Sequence, residues 1–247
     1  MDEDGRASPS TYAARAASAD RQRAQRNTER FWGSKHKPLD DACKSLDFEE
    51  EPGLDTVKMG VIGLGRFGAQ HARVLTQLPQ VDLVAVCSRS EARAREVAAE
   101  HNVPKWYTDP DEMLQDPDIA AVDIVTEVDR HAEIALGALE QGKHVFCEIL
   151  LTTSLEETDR LIETSTGGPA TMMVGFLERF DVRRANIKRR VDGGDLGRLV
   201  SIYGRRGGWR GILDEPRFKP YPLILQPGIH TIDQLLWLAQ DDVVEAY

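Results

Sequence analysis

Residues 57–75 read VKMGVIGLGRFGAQHARVL, a short apolar strand that runs directly into a glycine-rich turn and then a helix. In this setting Gly63 permits the tight turn, and Gly65 lets the backbone approach a pyrophosphate with no side chain in the way. Gly68 lets the helix pack closely on the strand. A bound anion would meet unpaired N–H groups at the start of the helix, where the helix dipole favours negative charge. The segment predicts a dinucleotide site, with a turn of purely structural function as the alternative.

Strand-like and helix-like segments alternate between residues 56 and 175. Such alternation requires right-handed crossovers and gives a parallel sheet covered by helices on both faces. We therefore expect an α/β fold, a doubly wound Rossmann domain over residues 56–175. The predicted strands are 57–62, 83–87, 106–107, 121–125, 145–148 and 172–175, and the predicted helices are 69–78, 91–101, 109–114, 131–140 and 153–165.

Residues 176–247 differ in character, and we expect them to form part of an α+β domain for substrate binding or oligomerisation. Helices are predicted at 183–192 and 228–239, and strands at 199–206 and 243–247. These strands do not suffice to close a sheet, so this domain is expected to be incomplete. An unpaired strand edge recruits partners. A homo-oligomer, or a partner chain that completes the domain, is the corresponding prediction.

Residues 1–55 are rich in Ala, Arg, Asp, Glu and Ser, and they offer no apolar stripe. We expect a flexible N-terminal arm that can be removed without loss of the fold. A mitochondrial presequence is the alternative, but such presequences are nearly free of acids, and several acidic residues interrupt this segment.

Composition narrows the possible classes of protein. A formal net charge of −10 argues against a nucleic-acid or membrane-surface binder, because such proteins usually carry a basic face. The three cysteines are widely spaced, which indicates a reducing compartment and no zinc site. No apolar run reaches the ~18 residues of a membrane span, and the polar N-terminus is unlike a secretory signal. We expect a soluble cytoplasmic protein that binds a small molecule.

Several segments, in order, resemble the Gfo/Idh/MocA oxidoreductases, the family of glucose–fructose oxidoreductase and inositol dehydrogenase. The resemblance runs from residue 57 to the end of the chain. It implies an NAD(P)-dependent oxidoreductase acting on a sugar, cyclitol or related hydroxyl or carbonyl compound. Beside the glycine turn, the segments are TEVDRHAEIALGALEQGKHVFCEILL (126–151), MVGFLERFD (173–181), GGDLGRLVSIYGRRGG (193–208) and GIHTIDQLLWLA (228–239).

Three departures from the family pattern bear on catalysis. The family's lysine, which holds substrate and serves in proton transfer, is replaced by Ile149, and isoleucine carries no proton. The aspartate often found four residues before the catalytic histidine is replaced by Gln226. The histidine itself is kept as His230. Gln226 and Asp233 are expected to contact substrate; Asp233 lies one helical turn after His230, where it could also orient the histidine or simply be exposed. Members usually continue for roughly another hundred residues of sheet, which this chain lacks.

The expected cofactor contacts follow the carboxyl ends of the strands, which line the crevice of an open α/β sheet. Thr126 and Glu148 occupy two such ends, and the resemblance places Glu148 near the nicotinamide and its ribose. Arg66 and Phe67 lie within the glycine turn. For His131, at the start of a helix, packing and cofactor contact remain equally open.

The residues at the end of the second strand indicate whether NADP or NAD is the preferred cofactor. An acidic residue there would bond the adenosine ribose and repel a 2′-phosphate, but the chain has Ser88 and Arg89. A hydroxyl and a guanidinium suit a 2′-phosphate, so NADP is favoured. NAD stays open, because Arg89 can also stack on adenine.

Three functional classes remain open at this point. The first is an active oxidoreductase in which His230 moves the hydroxyl proton. The second is a dinucleotide-binding sensor or regulator with little or no turnover, and the third is a relic or subunit that needs another chain. Ile149 and Gln226 favour the last two, whereas the glycines, Glu148 and His230 favour the first.

Overall fold

The computed structural model describes residues 56–207, 224–225 and 227–246. Gln226 and the predicted N-terminal arm lie outside the described residues. The strands of this part are β1 (Val57–Ile62), β2 (Val81–Cys87), β3 (Lys105–Tyr107), β4 (Ala121–Ile124), β5 (His144–Cys147) and β6 (Met172–Val174). The helices are α1 (Arg66–Leu75), α2 (Glu91–His101), α3 (Pro110–Leu114), α4 (Val128–Glu140), α5 (Leu155–Gly167), the 3₁₀ helix η1 (Leu177–Phe180), α6 (Val182–Asp192) and α7 (Gly228–Ala239).

The six strands form one sheet in the order β3-β2-β1-β4-β5-β6, and every neighbouring pair is parallel. This order consists of two halves, β1–β3 and β4–β6, that diverge from the junction of β1 and β4. Ligands of open α/β sheets bind in the crevice at this point, outside the carboxyl ends of the strands. The predicted doubly wound Rossmann domain is confirmed.

Apolar side chains cover both faces of the sheet and form two separate cores. One core contains Val61, Val86 and Ala72, and it lies under α1 and α2. The other contains Ile62, Val122 and Ile134, and it lies under α3, α4 and α5. Consecutive residues of β1 therefore point into opposite cores, as expected for a strand buried on both faces.

Several helices begin at residues whose side chains cap them, whereas the helices predicted at 69–78 and 131–140 begin three residues earlier, at Arg66 and Val128. Ser90 and Ser154 are N-caps whose hydroxyls accept from the backbone N–H three residues on. The carboxylate of Asp109 caps α3 by accepting from the backbone N–H of Asp111, and Pro110 occupies the first position of this helix. The 3₁₀ helix after β6 was not predicted, and it determines where Glu178 and Arg179 lie.

Two predicted strands are wrong. Residues 199–206 and 243–246 have no strand structure, and Tyr247 lies outside the described residues. Their alternating apolar pattern is not buried, since Val200 is 90% exposed and Val244 is 92% exposed. A strand needs a hydrogen-bonded neighbour, and no described strand pairs with either segment.

Candidate functional site

The glycine turn between β1 and α1 is shaped by close backbone contacts on two sides and by open space on the third. A Cβ atom on Gly63 would lie 2.4 Å from the carbonyl oxygen of Val125, and φ is +98° there. A Cβ atom on Gly68 would lie 1.8 Å from the carbonyl oxygen of Gly63. A Cβ atom on Gly65 would meet no atom within 4 Å. The turn is therefore packed where the fold needs it and open where a ligand would approach.

Gly65 is also the N-cap of α1, so the first N–H groups of the helix lie next to this open position. Unpaired N–H groups at the start of a helix are suited to bind a pyrophosphate. The residues present thus fit a dinucleotide. Phe67, in the first turn of α1, is half-exposed and meets the imidazole of His71 edge-on, with ring centroids 4.6 Å apart. Arg66, also exposed, begins the helix.

Arg93 holds the glycine turn from outside, and it was not predicted as a site residue. Its Nε donates to the carbonyl oxygen of Leu64 over 3.0 Å, and its Nη1 pairs with Glu96 over 2.7 Å. An arginine in an otherwise ordinary charged helix gives no signal of this contact in the sequence. The contact joins α2 to the site and fixes the position of the turn.

The predicted adenosine side of the site lies at the carboxyl end of β2. Ser88 accepts a hydrogen bond from the backbone N–H of Ser90 over 3.3 Å. The side chain of Arg89 is 90% exposed, and its Nη2 lies 3.9 Å from Oε2 of Glu127. Because Glu127 directly follows Thr126 after β4, Arg89 spans the crevice between the two halves of the sheet. Thr126 itself packs against the glycine turn, since its Cγ2 would lie 2.9 Å from a Cβ on Gly63.

Three titratable side chains, two of them buried, form a row of close contacts beneath the carboxyl ends of β4 and β5. Nδ1 of His71 is 2.8 Å from Oδ2 of Asp123, and Nε2 of His71 is 3.7 Å from Oε1 of Glu148. Asp123 is only 2% exposed, and its Oδ1 has no hydrogen-bond partner among the described residues. Glu148 is buried too, and Gly175 makes room for it, because a Cβ there would lie 2.8 Å from Oε1. The sequence signal for these three side chains was Asp123, a carboxylate in the middle of an apolar strand.

The three side chains alter one another's protonation. Burial alone would lower the pKa of His71, but the hydrogen bond and charge of Asp123, together with the charge of Glu148, outweigh burial and raise it. Burial raises the pKa of Glu148, and the neighbouring His71 only partly opposes that shift. The arrangement therefore favours a protonated His71 between two carboxylates.

His131 is 1% exposed, and both of its ring nitrogens face backbone carbonyl oxygens. Nδ1 lies 2.6 Å from the oxygen of Leu150, and Nε2 lies 2.9 Å from the oxygen of Thr126. The ring thus ties the loop after β4 to the loop after β5. Of the two roles left open for His131, these contacts are those of packing.

The described residues after β6 are organised by two arginine–carboxylate groups. Both oxygens of Asp233 accept from Nε of Arg179 over 3.0 Å, and Nη2 of Arg179 also contacts Oδ1. The buried Glu178 forms ion pairs with Arg206 over 2.5 Å and Arg184 over 2.7 Å. These contacts join η1 to α6, to α7 and to the segment after α6. Asp233, expected to contact substrate, has its carboxylate engaged by Arg179; its contact with substrate stays a prediction.

His230, the expected acid or base, lies in the first turn of α7 and is half-buried. Its Nδ1 is buried and has no hydrogen-bond partner among the described residues. Burial lowers the pKa of His230, and the positive charge of Arg206 adds to this effect, while Glu178 opposes it. A neutral imidazole with an unpaired nitrogen is suited to accept a proton.

The described residues contain neither a candidate metal site nor a candidate membrane-spanning helix. They contain no group of three or more His, Cys, Asp or Glu side chains that could hold a metal ion. Their helices are too short or too polar to cross a membrane.

The sheet order, the glycine turn and the crevice define a dinucleotide-binding α/β protein. Residues 57–176 match the model of the Gfo/Idh/MocA family, described as an oxidoreductase family with an NAD-binding Rossmann fold. This chain belongs to that family.

The similar proteins include several inositol dehydrogenases. Over 149 residues the chain is 41% identical to scyllo-inositol 2-dehydrogenase (NAD(+)) of Bacillus subtilis strain 168, a match that covers 60% of this chain and 44% of the relative. It is 35% identical to myo-inositol 2-dehydrogenase of Thermotoga maritima, over 77% of this chain and 57% of the relative.

A similar solved structure is scyllo-inositol dehydrogenase from Lactobacillus casei with bound NAD(H) and scyllo-inositol. The TM-score is 0.67 at 29% identity, over 75% of this chain and 57% of that one. This chain spans about half the length of the relatives it matches.

Proposed function

We propose that this chain binds a nicotinamide dinucleotide at the crevice between β1 and β4 and takes part in oxidoreduction of a cyclitol or sugar hydroxyl. The observation that carries the proposal is the glycine turn, closed at Gly63 and Gly68 but open at Gly65. The inositol dehydrogenases among the relatives support the substrate class. A bound nicotinamide would supply the hydride acceptor at its C4 atom.

Within this proposal, each predicted residue has one task. The N–H groups around Gly65, Arg66 and Phe67 hold the pyrophosphate, and Ser88 and Arg89 hold the adenosine half. Thr126 and Glu148 border the nicotinamide half. His131 fixes the two loops that carry them.

His230 accepts the hydroxyl proton as the hydride leaves, and Gln226 and Asp233 complete the substrate site. Ile149 takes no part in proton transfer. General acid–base assistance of the kind the missing lysine would give is typically worth 10²–10⁴-fold, so turnover is expected to be slow.

Cofactor choice follows from Arg89 and its acidic neighbour. Arg89 is exposed and free to turn toward a 2′-phosphate, which favours NADP; Glu127 at 3.9 Å competes for the same guanidinium and repels that phosphate. Some of the similar proteins are described with NAD, and one, from Desulfitobacterium hafniense, is described as a putative NADPH-dependent oxidoreductase. We propose that both NAD(H) and NADP(H) bind and that Arg89 sets the ratio of the two affinities.

Calorimetric titration of the chain with NAD⁺, NADH, NADP⁺ and NADPH tests binding. Absence of binding by all four would overturn the proposal. Turnover is then measured at 340 nm with scyllo-inositol, myo-inositol and a panel of sugars, for wild type and His230→Ala. We expect loss of all activity in His230→Ala with dinucleotide affinity unchanged.

A second function, a dinucleotide-binding regulator without turnover, is favoured by one observation. Ile149, whose backbone N–H donates to Glu148 over 3.3 Å, stands where the family carries its proton-transfer lysine. Dinucleotide binding without turnover on any compound of the panel is the result expected for a regulator.

A further inference from the structure

We propose that the chain Asp123–His71–Glu148 couples the redox state of the bound dinucleotide to a proton on His71. This inference rests on the proposed function, since it requires a nicotinamide in the crevice. In it, His71 is a positioning residue that acts through Glu148, and Asp123 is its anchor.

The geometry forms a continuous path from the buried sheet to the crevice. Asp123 is fixed in β4, between Val61 of β1 and Phe146 of β5. Its Oδ2 holds Nδ1 of His71 at 2.8 Å, which directs the opposite nitrogen toward Oε1 of Glu148 at 3.7 Å. Glu148 directly follows β5, at the carboxyl edge of the sheet where ligands bind.

The strand order of the sheet assigns Glu148 to the nicotinamide half. The strands β1–β3 form the half that carries the glycine turn and Arg89, where the adenosine binds. The strands β4–β6 form the other half, and Glu148 borders it. A charge that appears on the nicotinamide ring therefore acts on Glu148 and, through it, on His71.

Few charged groups act on His71, so its response is simple. Asp123 from β4 and Glu148 from β5 are the charges that shift its pKa, and both raise it. The aromatic rings of Phe67 and Phe146 also lie beside it. Burial and the same two carboxylates raise the pKa of the nearby Cys147 thiol, which keeps it neutral.

The sign of the coupling follows from charge. With His71 protonated, the three side chains carry a net charge of about −1, and loss of that proton to solvent makes it about −2. The oxidised nicotinamide is a cation and the reduced one is neutral, so the deprotonated form of His71 favours the oxidised cofactor. By reciprocity, the oxidised cofactor must lower the pKa of His71 relative to the reduced cofactor.

NMR titration of the full chain with labelled histidines tests the coupling within the protein. The His71 signal is assigned from its absence in His71→Gln. We expect Asp123→Asn and Glu148→Gln each to lower the pKa of His71. His101→Gln, a change in α2, is the control and is expected to leave it unaltered. A His71 pKa that does not respond to Glu148→Gln would overturn the proposed chain, whether or not any dinucleotide binds.

Binding of NAD⁺ and NADH between pH 6 and pH 9 tests the coupling to the cofactor. For wild type we expect the ratio Kd(NADH)/Kd(NAD⁺) to rise about fivefold with pH, at the lower end of typical coupling strengths. The pKa of His71 should accordingly be about 0.7 lower in the NAD⁺ complex than in the NADH complex. His71→Gln should remove the part of this rise that is due to His71, so that the ratio changes with pH much less than in wild type, whereas His101→Gln should leave the rise unchanged.

A ratio that is flat in wild type would overturn the inference while leaving the proposed function intact. If neither NAD⁺ nor NADH binds, both the proposed function and the coupling to the cofactor are overturned. The histidine titration would still report whether the three side chains are coupled to one another. The two failures are therefore distinguishable.

Discussion

Arg179 and Asp233 form a two-point ion pair that joins η1 to the middle of α7, 54 residues further along the chain. Asp233 is only 5% exposed, and the guanidinium of Arg179 contacts both of its carboxylate oxygens. The same guanidinium lies 5.8 Å from the ring centre of Trp237. Arg179 thus joins α7, the helix that carries His230, to η1, which follows the last strand of the sheet.

Removal of this arginine is expected to destabilise the chain. Arg179→Met leaves a buried carboxylate unpaired, which costs about 1–3 kcal/mol because Arg179 is itself partly exposed. Urea unfolding measures the effect. Glu133→Gln, which removes the exposed pair with Arg130, is the control and should leave the midpoint unchanged. Equal midpoints for Arg179→Met and wild type would show that the pair does not hold α7.

Two glycines of one turn should give opposite results. Gly65→Asp enters open space at a φ of −64°, so we expect a folded protein that has lost dinucleotide binding by clash and like charge. Gly68→Ala forces an atom into the carbonyl of Gly63 and should cost about 1–3 kcal/mol of stability. Thermal melting and calorimetry separate the two effects. Normal dinucleotide affinity in Gly65→Asp would place the ligand elsewhere.

Arg89→Ala is expected to weaken NADPH binding by about tenfold or more and NADH binding by less. The lost contact is a charge-assisted bond to the 2′-phosphate, worth about 1.5–3 kcal/mol. Glu127→Gln should have the opposite effect, since it frees Arg89 and removes a repelling charge. Arg73→Ala, an exposed change near the end of α1, is the control. Equal losses for both cofactors would identify Arg89 as a residue that stacks on adenine.

Ionisation of the buried carboxyl group of Glu148 is expected to lower the stability of the folded protein. Because its pKa is raised in the folded state, its ionisation opposes folding, and this penalty develops as the pH rises through the folded pKa. Glu148→Gln should therefore raise Tm at pH 8 and change it little at pH 4, where both states are protonated. A Tm at pH 8 below that of wild type would show that the carboxylate is stabilising.

Ile149→Lys restores the proton-transfer group of the family. We expect turnover to increase by a factor approaching 10²–10⁴, which is typical of general acid–base assistance.

In wild type, the pH profile of kcat/KM should fall at low pH with a midpoint below the ordinary pKa of histidine, because burial lowers the pKa of His230. Activity that survives His230→Ala would assign proton transfer to another group.

The sequence predicted what depends on local pattern and missed what depends on packing. The bounds of α2 and α7 were predicted correctly, because caps, glycines and apolar spacing act over a few residues. The pair of His71 and Asp123 could not be predicted, since it depends on how α1 lies on β4. The strands expected at 199–206 and 243–247 were wrong for a related reason. An alternating pattern shows that a segment can form a strand, but only a neighbouring strand makes it one.

The position of β1 has a consequence for synthesis of the chain. β1 pairs with β2 on one side soon after it is made, but its other neighbour, β4, follows only after two helical crossovers and β3. At ~5–20 residues per second, that edge of a nascent β1 stays open for a few seconds. An open apolar edge is a template for association with other chains. Substitutions that delay the arrival of β4 should therefore lower the yield of the protein in cells, even when the finished sheet is as stable as before.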